Sequence, residues 1–107
     1  MPITADKLVN PVVSAMVSAI NAGNRSAFEA LLAPGATMSD DGTDRDVSSW
    51  IDREIFSANG RMAIQSQADG GTSLVALFRN DTWGEMRTNW RFTISDGVIS
   101  HFETGQA

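Results

Sequence analysis

The side chains that could do chemistry in this 107-residue sequence are its carboxylates and one histidine. The carboxylates are densest in the acidic run from Asp40 to Asp46, which invites comparison with a calcium-binding loop. Gly42 stands in the wrong place for such a loop, and no glutamate closes it at the spacing that calcium coordination needs. The run therefore predicts a solvated turn that leads into a helix, and no metal site.

His101 is the only histidine, and the sequence contains no cysteine. These counts exclude a two-histidine metal site, a thiolate metal site, a disulfide and a cysteine nucleophile. A lone histidine on a strand is more often a hydrogen-bonded surface group than a catalytic base. We expect no cofactor, and the lack of cysteine fits the reducing cytoplasm, where we expect the protein to reside.

Composition narrows the remaining classes of protein. A length of 107 residues allows one domain, spanning residues 1–107, with one hydrophobic core. The net charge is -5 and the eight basic residues are scattered, so we expect no nucleic-acid partner. The sequence has no run of about 18 apolar residues and its N-terminus lacks a signal-peptide pattern, so we expect no membrane partner.

The element that must position these groups is a long hairpin from Thr82 to Thr104. Alternation places Trp90 and Phe92 on one face of its first strand and the charged side chain of Arg91 on the other. Asp96-Gly97 supplies the turn, because glycine adopts a positive φ at little cost. The apolar face of the hairpin needs a cover, and the apolar helical patterns nearer the N-terminus can provide it.

The register of the second strand of this hairpin decides where His101 lies. A two-residue turn pairs Ile94 with Ile99 and places His101 beside Phe92, whereas one extra residue turns Phe102 inward instead. Both registers are open on the pattern alone. We favour Phe102 inside and His101 outside, because a buried histidine needs hydrogen-bond partners that the sequence does not supply.

The first of three predicted helices runs from Pro11 to Ala22. Asn10 is a good N-terminal cap, and proline suits the first helical turn. Gly23 ends the helix in the way that glycine commonly does. Met16 and Ile20 belong to its apolar stripe, which must face the core. A longer helix that is kinked at its proline is the alternative.

The two other predicted helices are shorter. Asn24 or Ser26 caps the second helix, and Pro34-Gly35 stops it. An aspartate of the acidic run caps the third helix, which continues to about Ala58 and turns Trp50 inward. The tight link after the first helix makes the first two helices antiparallel neighbours.

The remaining strands come from shorter patterns. Ala36–Ser39 is a short strand, Met62–Asp69 alternates weakly, and Leu74–Phe78 is apolar at every position, which is typical of a strand covered on both faces. The predicted fold class is α+β. Three N-terminal helices pack on a curved, mainly antiparallel β-sheet of four long strands and one short strand.

The outer face of this sheet is predicted to form a homodimer interface, because the helices can cover only one face. The expected interface residues are Glu85, Arg87 and Arg91, whose opposite charges make the patch self-complementary under two-fold symmetry. Trp83 and the strand Leu74–Phe78 would supply most of the buried area.

Three stretches carry a likeness to a known family: Ala22-Gly23-Asn24, Leu31–Met38 and Phe92–Ile99. Through them the chain resembles the nuclear transport factor 2-like superfamily, a cone-shaped α+β fold that includes SnoaL-type polyketide cyclases and ketosteroid isomerases. The resemblance implies a bent sheet wrapped around three helices with a cavity between them, and dimers formed through the sheet. It says little about chemistry, because this fold hosts many functions.

The resemblance also implies a role for Asp40, which matches in spacing the carboxylate base of the ketosteroid isomerases. That base moves a proton beside a carbonyl group. The family's oxyanion donors are missing, because Met16 and Trp90 stand at or near the matching positions and the chain has no tyrosine. Steroid isomerisation by that mechanism is therefore not expected. The alternative for Asp40 is a solvated turn residue.

Three functions stay open after this reading. The favoured one is a protein that binds a small, mostly apolar molecule in a pocket between the helices and the sheet. The alternatives are a lyase, isomerase or cyclase with Asp40 as general base, and a non-catalytic dimerisation module. The predicted ligand pocket is lined by five large side chains: Met16, Ile20, Trp50, Trp90 and Phe102.

Overall fold

The computed structural model describes residues 3–107, and its helices and strands follow the predicted order with one addition. The added element is the short strand Thr43–Arg45, which lies in the acidic run that the sequence predicts as a turn. Met1 and Pro2, the first two residues of the predicted domain, lie outside the described residues. The helices are α1 (Pro11–Ala22), α2 (Arg25–Glu29) and α3 (Val47–Ile51), and α3 continues as a π-helical turn over Asp52–Phe56. Within residues 3–107, no helix is both long and apolar enough to cross a lipid bilayer.

The strands form one six-stranded sheet in the order β2-β1-β6-β5-β4-β3. All neighbouring strands are antiparallel except β1 and β6, which run parallel. The sheet is mainly antiparallel and the fold class is α+β, as predicted. The strands are β1 (Leu32–Asp40), β2 (Thr43–Arg45), β3 (Arg61–Ala68), β4 (Ser73–Asn80), β5 (Gly84–Ser95) and β6 (Val98–Gln106).

Helix α1 has the bounds and caps that the sequence predicts. The Asn10 side chain accepts hydrogen bonds from the backbone N–H groups of Val12 and Val13, at 3.0 and 3.2 Å. Gly23 ends the helix in the left-handed conformation, with φ 64°. Met16 and Ile20 have no exposed surface, so the apolar stripe faces the core. The kinked-helix alternative is wrong, because a separate short 3₁₀ turn precedes the Asn10 cap.

Helix α2 is shorter than predicted. Asn24 caps it, by accepting a hydrogen bond from the N–H of Ala27 at 3.0 Å, and the helix ends at Glu29. Pro34-Gly35 does not stop a helix but lies inside β1, where the pairing with β6 becomes irregular and Gly35 has φ 74°. The strand predicted at 36–39 is present but longer than predicted, because β1 is nine residues long.

The acidic run folds as a hairpin followed by a helix cap. Asp41 and Gly42 form the turn with φ 49° and 82°, so that β2 returns beside β1. The Asp46 side chain accepts a hydrogen bond from the N–H of Ser49 at 3.0 Å and caps α3. Hydrogen bonds from the backbone and the side chain of Ser49 hold the pKa of Asp46 below its ordinary value.

The β5–β6 hairpin combines the two registers considered above. The turn has two residues and pairs Ile94 with Ile99, but His101 pairs with Thr93 because Ser100 is an extra, bulged residue. Beyond the bulge, the pairing register is shifted by one residue, so each later side chain of β6 faces the opposite side from the one that a regular ladder would give it. Phe102 is fully buried, and the predicted inward facing of this residue is correct.

Aromatic rings fill much of the space between helices and sheet. Trp90 on β5 lies at the centre of this cluster, with ring centroids 6.1 Å from Trp50, 5.9 Å from Phe78 and 6.4 Å from Phe102. Phe28 of α2 packs edge-on against Phe102 at 6.1 Å. Such edge and offset contacts stabilise aromatic clusters beyond the area that they bury. The cluster therefore fixes the position of α3 on the sheet.

Candidate functional site

A cleft of about 310 Å³ opens at one end of the sheet, between α3, its π-helical turn and the ends of β1, β4, β5 and β6. Its volume lies at the lower end of the range for small-molecule sites. Its apolar lining consists of Trp50, Phe78, Trp83, Met86 and Trp90. Its charged lining consists of Asp40, Asp41, Arg45 and Glu54. Its neutral polar lining includes Asn80, Thr88, Thr104 and Gln106.

All three tryptophans of the chain line this cleft. Trp50 and Trp90 are 4% and 2% exposed and form an edge-to-face pair. Trp83, in the turn between β4 and β5, is 62% exposed. The cleft therefore has two fixed aromatic walls and a third aromatic ring at its mouth.

Each indole N–H in the cleft has an acceptor within the protein. Trp50 Nε1 donates to Asp40 Oδ2 at 3.1 Å, and Trp83 Nε1 donates to Glu54 Oε2 at 3.1 Å. Trp90 Nε1 donates to the hydroxyl of Thr88 at 2.9 Å. The polar edges of all three rings are therefore already bonded, and Trp83 alone has a largely exposed ring.

Asp40 is held on the wall of the cleft by the parallel pairing of β1 and β6. It lies opposite Thr104, and the next residue, Asp41, donates its backbone N–H to the Thr104 carbonyl at 2.9 Å. The Asp41 carboxylate accepts the N–H of Gln106 at 2.9 Å. The turn that follows Asp40 is thus tied to the end of β6, and the Trp50 N–H holds the Asp40 carboxylate.

Asn80 joins the two sides of the mouth. It is 3% exposed, and its amide donates to the Glu54 carbonyl at 2.9 Å while its oxygen accepts the N–H of Trp83 at 2.8 Å. One side chain thereby links the π-helical turn to the β4–β5 turn. The position of Trp83 over the cleft depends on this link.

The structure brings together only part of the predicted pocket. Trp50 and Trp90 line the cleft, and Asp40 joins them there. Met16, Ile20 and Phe102 have no exposed surface and are absent from its lining. Trp50 and Trp90 pack over Phe102 at 6.2 and 6.4 Å, so these two rings separate the deeper core from the cleft.

Glu54, Asn80 and Trp83 belong to the site but were not among the predicted pocket residues. A signal for Glu54 was present, because it follows Trp50 by four residues and so lies on the same helical face. Alternation continued back from β5 predicts Trp83 on the outer face. That assignment is wrong, since β5 begins at Gly84, whose φ of 75° breaks the alternation.

The outer face of the sheet carries the predicted interface residues, all exposed. Glu85 lies opposite Arg79 and Arg91 lies opposite Glu103 in the strand register, but neither pair is within ion-pair distance in the described part of the chain. Arg87 donates to the side chain of Gln65 at 3.1 Å. His101 also lies away from the cleft, with Nδ1 2.7 Å from the hydroxyl of Thr37. Among residues 3–107, none of Glu85, Arg87 and Arg91 takes part in an ion pair.

Solved structures of other proteins share this architecture. A candidate polyketide cyclase from Sinorhizobium meliloti superposes with a TM-score of 0.71 at 19% identity, over 87% of this chain and 92% of that one. A nuclear transport factor 2-like protein from Cytophaga hutchinsonii gives 0.71 at 13% identity, over 100% and 93%. The chain has the nuclear transport factor 2-like fold. This confirms the likeness seen in the sequence at the level of the fold.

A third similar structure is that of a protein from Catenulispora acidiphila. It has a ketosteroid isomerase-like fold and was solved in complex with trimethylamine, and it gives a TM-score of 0.71 at 17% identity, over 88% of this chain and 83% of that one. No family model matches the sequence, and no curated protein matches it significantly. At these identities the likeness concerns the fold, and function has to be argued from the cleft.

Proposed function

We propose that this protein binds a small organic molecule in the tryptophan-lined cleft. The observation that carries the proposal is the gathering of all three tryptophans on one cleft. Clefts of this size, with aromatic walls and a few fixed polar groups, are typical of small-molecule sites. A protein of the same fold in complex with a small amine supports ligand binding by this architecture.

The indole N–H groups provide the test, because each tryptophan gives a separate signal in a ¹H–¹⁵N NMR spectrum. A fragment set that contains cationic, neutral and anionic compounds is added to the labelled protein. We expect saturable shifts of the Trp50 and Trp83 signals, which are assigned with Trp50→Phe and Trp83→Phe. If no compound of any charge moves an indole signal, the proposal is wrong.

A second candidate function is a lyase, isomerase or cyclase that uses Asp40 as general base. It is supported by the placement of the Asp40 carboxylate, since Oδ2 is fixed by Trp50 and the other oxygen has no donor among residues 3–107. A carboxylate fixed in this way can take a proton from a carbon beside a carbonyl group. An oxyanion donor would have to come from elsewhere, because Trp90 Nε1 already donates to Thr88.

Asp40→Asn is the variant that tests this second function. The asparagine oxygen can still accept the indole N–H of Trp50, so the fold and the cleft are expected to persist. Catalysis, followed as exchange of the proton beside a carbonyl group in bound fragments, should fall by about 100-fold or more if Asp40 is the base. Unchanged exchange in a folded variant would exclude the role.

We also propose that two copies of the chain pair through the outer face of the sheet. Val75 and Leu77 of β4 face outward and are only half-buried. Arg87 and Arg91 share that face with Glu85, which gives a two-fold arrangement opposite charges to pair. This pairing would act alongside the cleft, or alone if the protein is a non-catalytic dimerisation module.

Light scattering at low and high salt tests the pairing. The expected result is a mass of two chains at micromolar concentration, and a shift toward one chain in Arg87→Glu, because the reversal places like charges together. Glu29→Arg, a charge reversal on α2, is the control and should leave the mass unchanged. A single-chain mass for the unmodified protein excludes the dimer.

A further inference from the structure

Among the charged groups that line the cleft, negative groups outnumber positive ones. Three carboxylates, those of Asp40, Asp41 and Glu54, line it together with one guanidinium, that of Arg45, which leaves a formal excess of two negative charges. Like charges in a confined, partly apolar cleft favour a ligand of the opposite sign. The sign of the cleft therefore points to a positively charged ligand.

The protein itself does little to neutralise these carboxylates. Among residues 3–107, Asp40 and Asp41 take part in no ion pair, and Glu54 has only the Nε of Arg53 at 4.0 Å. The groups that bond the Asp40 and Glu54 side chains are indole N–H groups, which carry no charge. The carboxylates of Asp40 and Glu54 thus keep part of their capacity to accept hydrogen bonds and have no close cationic partner among residues 3–107 other than Arg53.

The tryptophan rings of the same cleft suit the same kind of ligand. Trp83 is the ring that a ligand can reach most fully, because it is 62% exposed and its indole N–H is bonded to Glu54, whereas Trp50 and Trp90 are buried at the base of the cleft. The face of an indole attracts cations through its negative π-electron density, and it does so more strongly than the other aromatic side chains. A neutral ligand would gain from the apolar area alone, whereas an organic cation gains from both the rings and the carboxylates.

We propose that the ligand is a small organic cation, an amine that is protonated or quaternary at nitrogen, held against the ring of Trp83 beside the carboxylates of Asp40 and Glu54. This inference rests on the proposed ligand-binding function and names the class of ligand. A bare metal ion does not fit, because within residues 3–107 no three histidine, aspartate or glutamate side chains gather as a metal site requires. The cleft volume of about 310 Å³ has room for several alkyl groups.

Three probes of one shape and different charge test the proposal. They are choline, its neutral carbon analogue 3,3-dimethylbutan-1-ol, and the anion 3,3-dimethylbutanoate. Each is titrated into the labelled protein while the indole signals are followed. We expect choline to shift the Trp50 and Trp83 signals saturably and to bind at least about tenfold more tightly than the neutral analogue.

Two isosteric variants locate the charge that is responsible. Glu54→Gln and Asp40→Asn keep an oxygen that can accept the indole N–H, and each is expected to weaken choline binding by about three- to tenfold. Glu103→Gln is the matched control, since Glu103 is an exposed carboxylate on the outer face of the sheet. It changes the net charge equally and should leave the affinity unchanged.

The outcomes separate the two proposals. If the neutral or the anionic probe binds as tightly as choline, the cleft binds ligands but the cation inference is wrong, and an anionic preference would point to Arg45. If Glu103→Gln weakens choline as much as Glu54→Gln does, the attraction is a property of the whole molecule and the assigned site is wrong. If choline shifts nothing, the cation inference fails, and the ligand-binding function fails as well when the mixed fragment set also shifts nothing.

Discussion

The space between helices and sheet has a closed part, which side chains fill, and an open part, which is the cleft. Large apolar side chains line both parts. In the closed part, the side chains of Met16, Ile20, Phe28 and Phe102 have no exposed surface. In the open part, Trp50 and Trp90 end the core, and Trp83 stands at the mouth with most of its ring exposed. The fold supplies one space, and the volume of the side chains decides how much of it becomes core and how much becomes cleft.

Trp90→Ala is expected to have the largest effect, because Trp90 belongs to both parts. Its ring lines the cleft and packs on Phe78, Phe92 and Phe102. Removing it should lower the free energy of unfolding by about 3–5 kcal/mol, measured by urea denaturation. Trp90→Phe keeps a ring and should lose less. A loss below about 1 kcal/mol in Trp90→Ala would mean that the two parts do not share this wall.

Asn80→Ala comes next, since it cuts the link between the two sides of the mouth. The substitution removes the buried amide, so the Glu54 carbonyl and the Trp83 N–H lose their hydrogen-bond partner. We expect a loss of about 1–3 kcal/mol in the free energy of unfolding, together with weaker choline binding. Asn89→Ala is the control, because Asn89 makes one exposed hydrogen bond on the outer face. Equal losses in both variants would contradict a special role for Asn80.

Trp83→Ala should separate binding from stability. Trp83 is 62% exposed, so the free energy of unfolding is expected to change by only about 0.5 kcal/mol. The affinity for the cleft ligand should nonetheless fall, because the aromatic ring at the mouth is removed. Val9→Ala is the matched control, as Val9 is the other large exposed apolar side chain in the described chain, at 65%. A destabilisation as large as that of Trp90→Ala would place Trp83 in the core.

Asp46→Asn is expected to have the smallest effect, and a pH-dependent one. Asn keeps the cap of α3, the helix that carries Trp50, but it does not titrate. The folded-state pKa of Asp46 lies below its ordinary value of 3.8, so the carboxylate's contribution to stability is fully present above that pH and is lost as the pH falls through the lowered value. The stability difference between the two proteins should therefore shrink on acidification from about pH 6 to about pH 3. A difference that stays constant across this range would contradict the assignment.

Local signals explain what the sequence could predict of the fold. Asn10, Pro11 and Gly23 act on neighbouring backbone, and α1 follows them residue by residue. Pro34-Gly35 has the local pattern of a helix stop, but it lies in β1, because β1 pairs with β6, more than sixty residues away. Pairing between distant segments leaves no mark in a short window of sequence.

Some residues of the candidate site could likewise be predicted from local patterns, and others could not. Helical spacing and strand alternation predict that Trp50 and Trp90 face inward, and the family resemblance, not the pattern, implies a place for Asp40 at the site. Which inward side chains meet the cleft could not be predicted, since Met16, Ile20 and Phe102 face inward too and are closed off only by neighbouring rings. Burial depth depends on packing in three dimensions, and a periodic pattern reports direction alone.

The bulge at Ser100 makes this position of β6 tolerant of the deletion of one residue. In most of a strand, removing one residue turns every later side chain to the opposite face. At Ser100 the removal would restore a regular ladder, because His101 already pairs with Thr93 and Phe102 with Phe92. Deletion of Ser100 should therefore keep the inward and outward sets of β6 and remove only the local bend that a bulge introduces. The hairpin can thus become one residue shorter at this place without exchanging its buried and exposed faces.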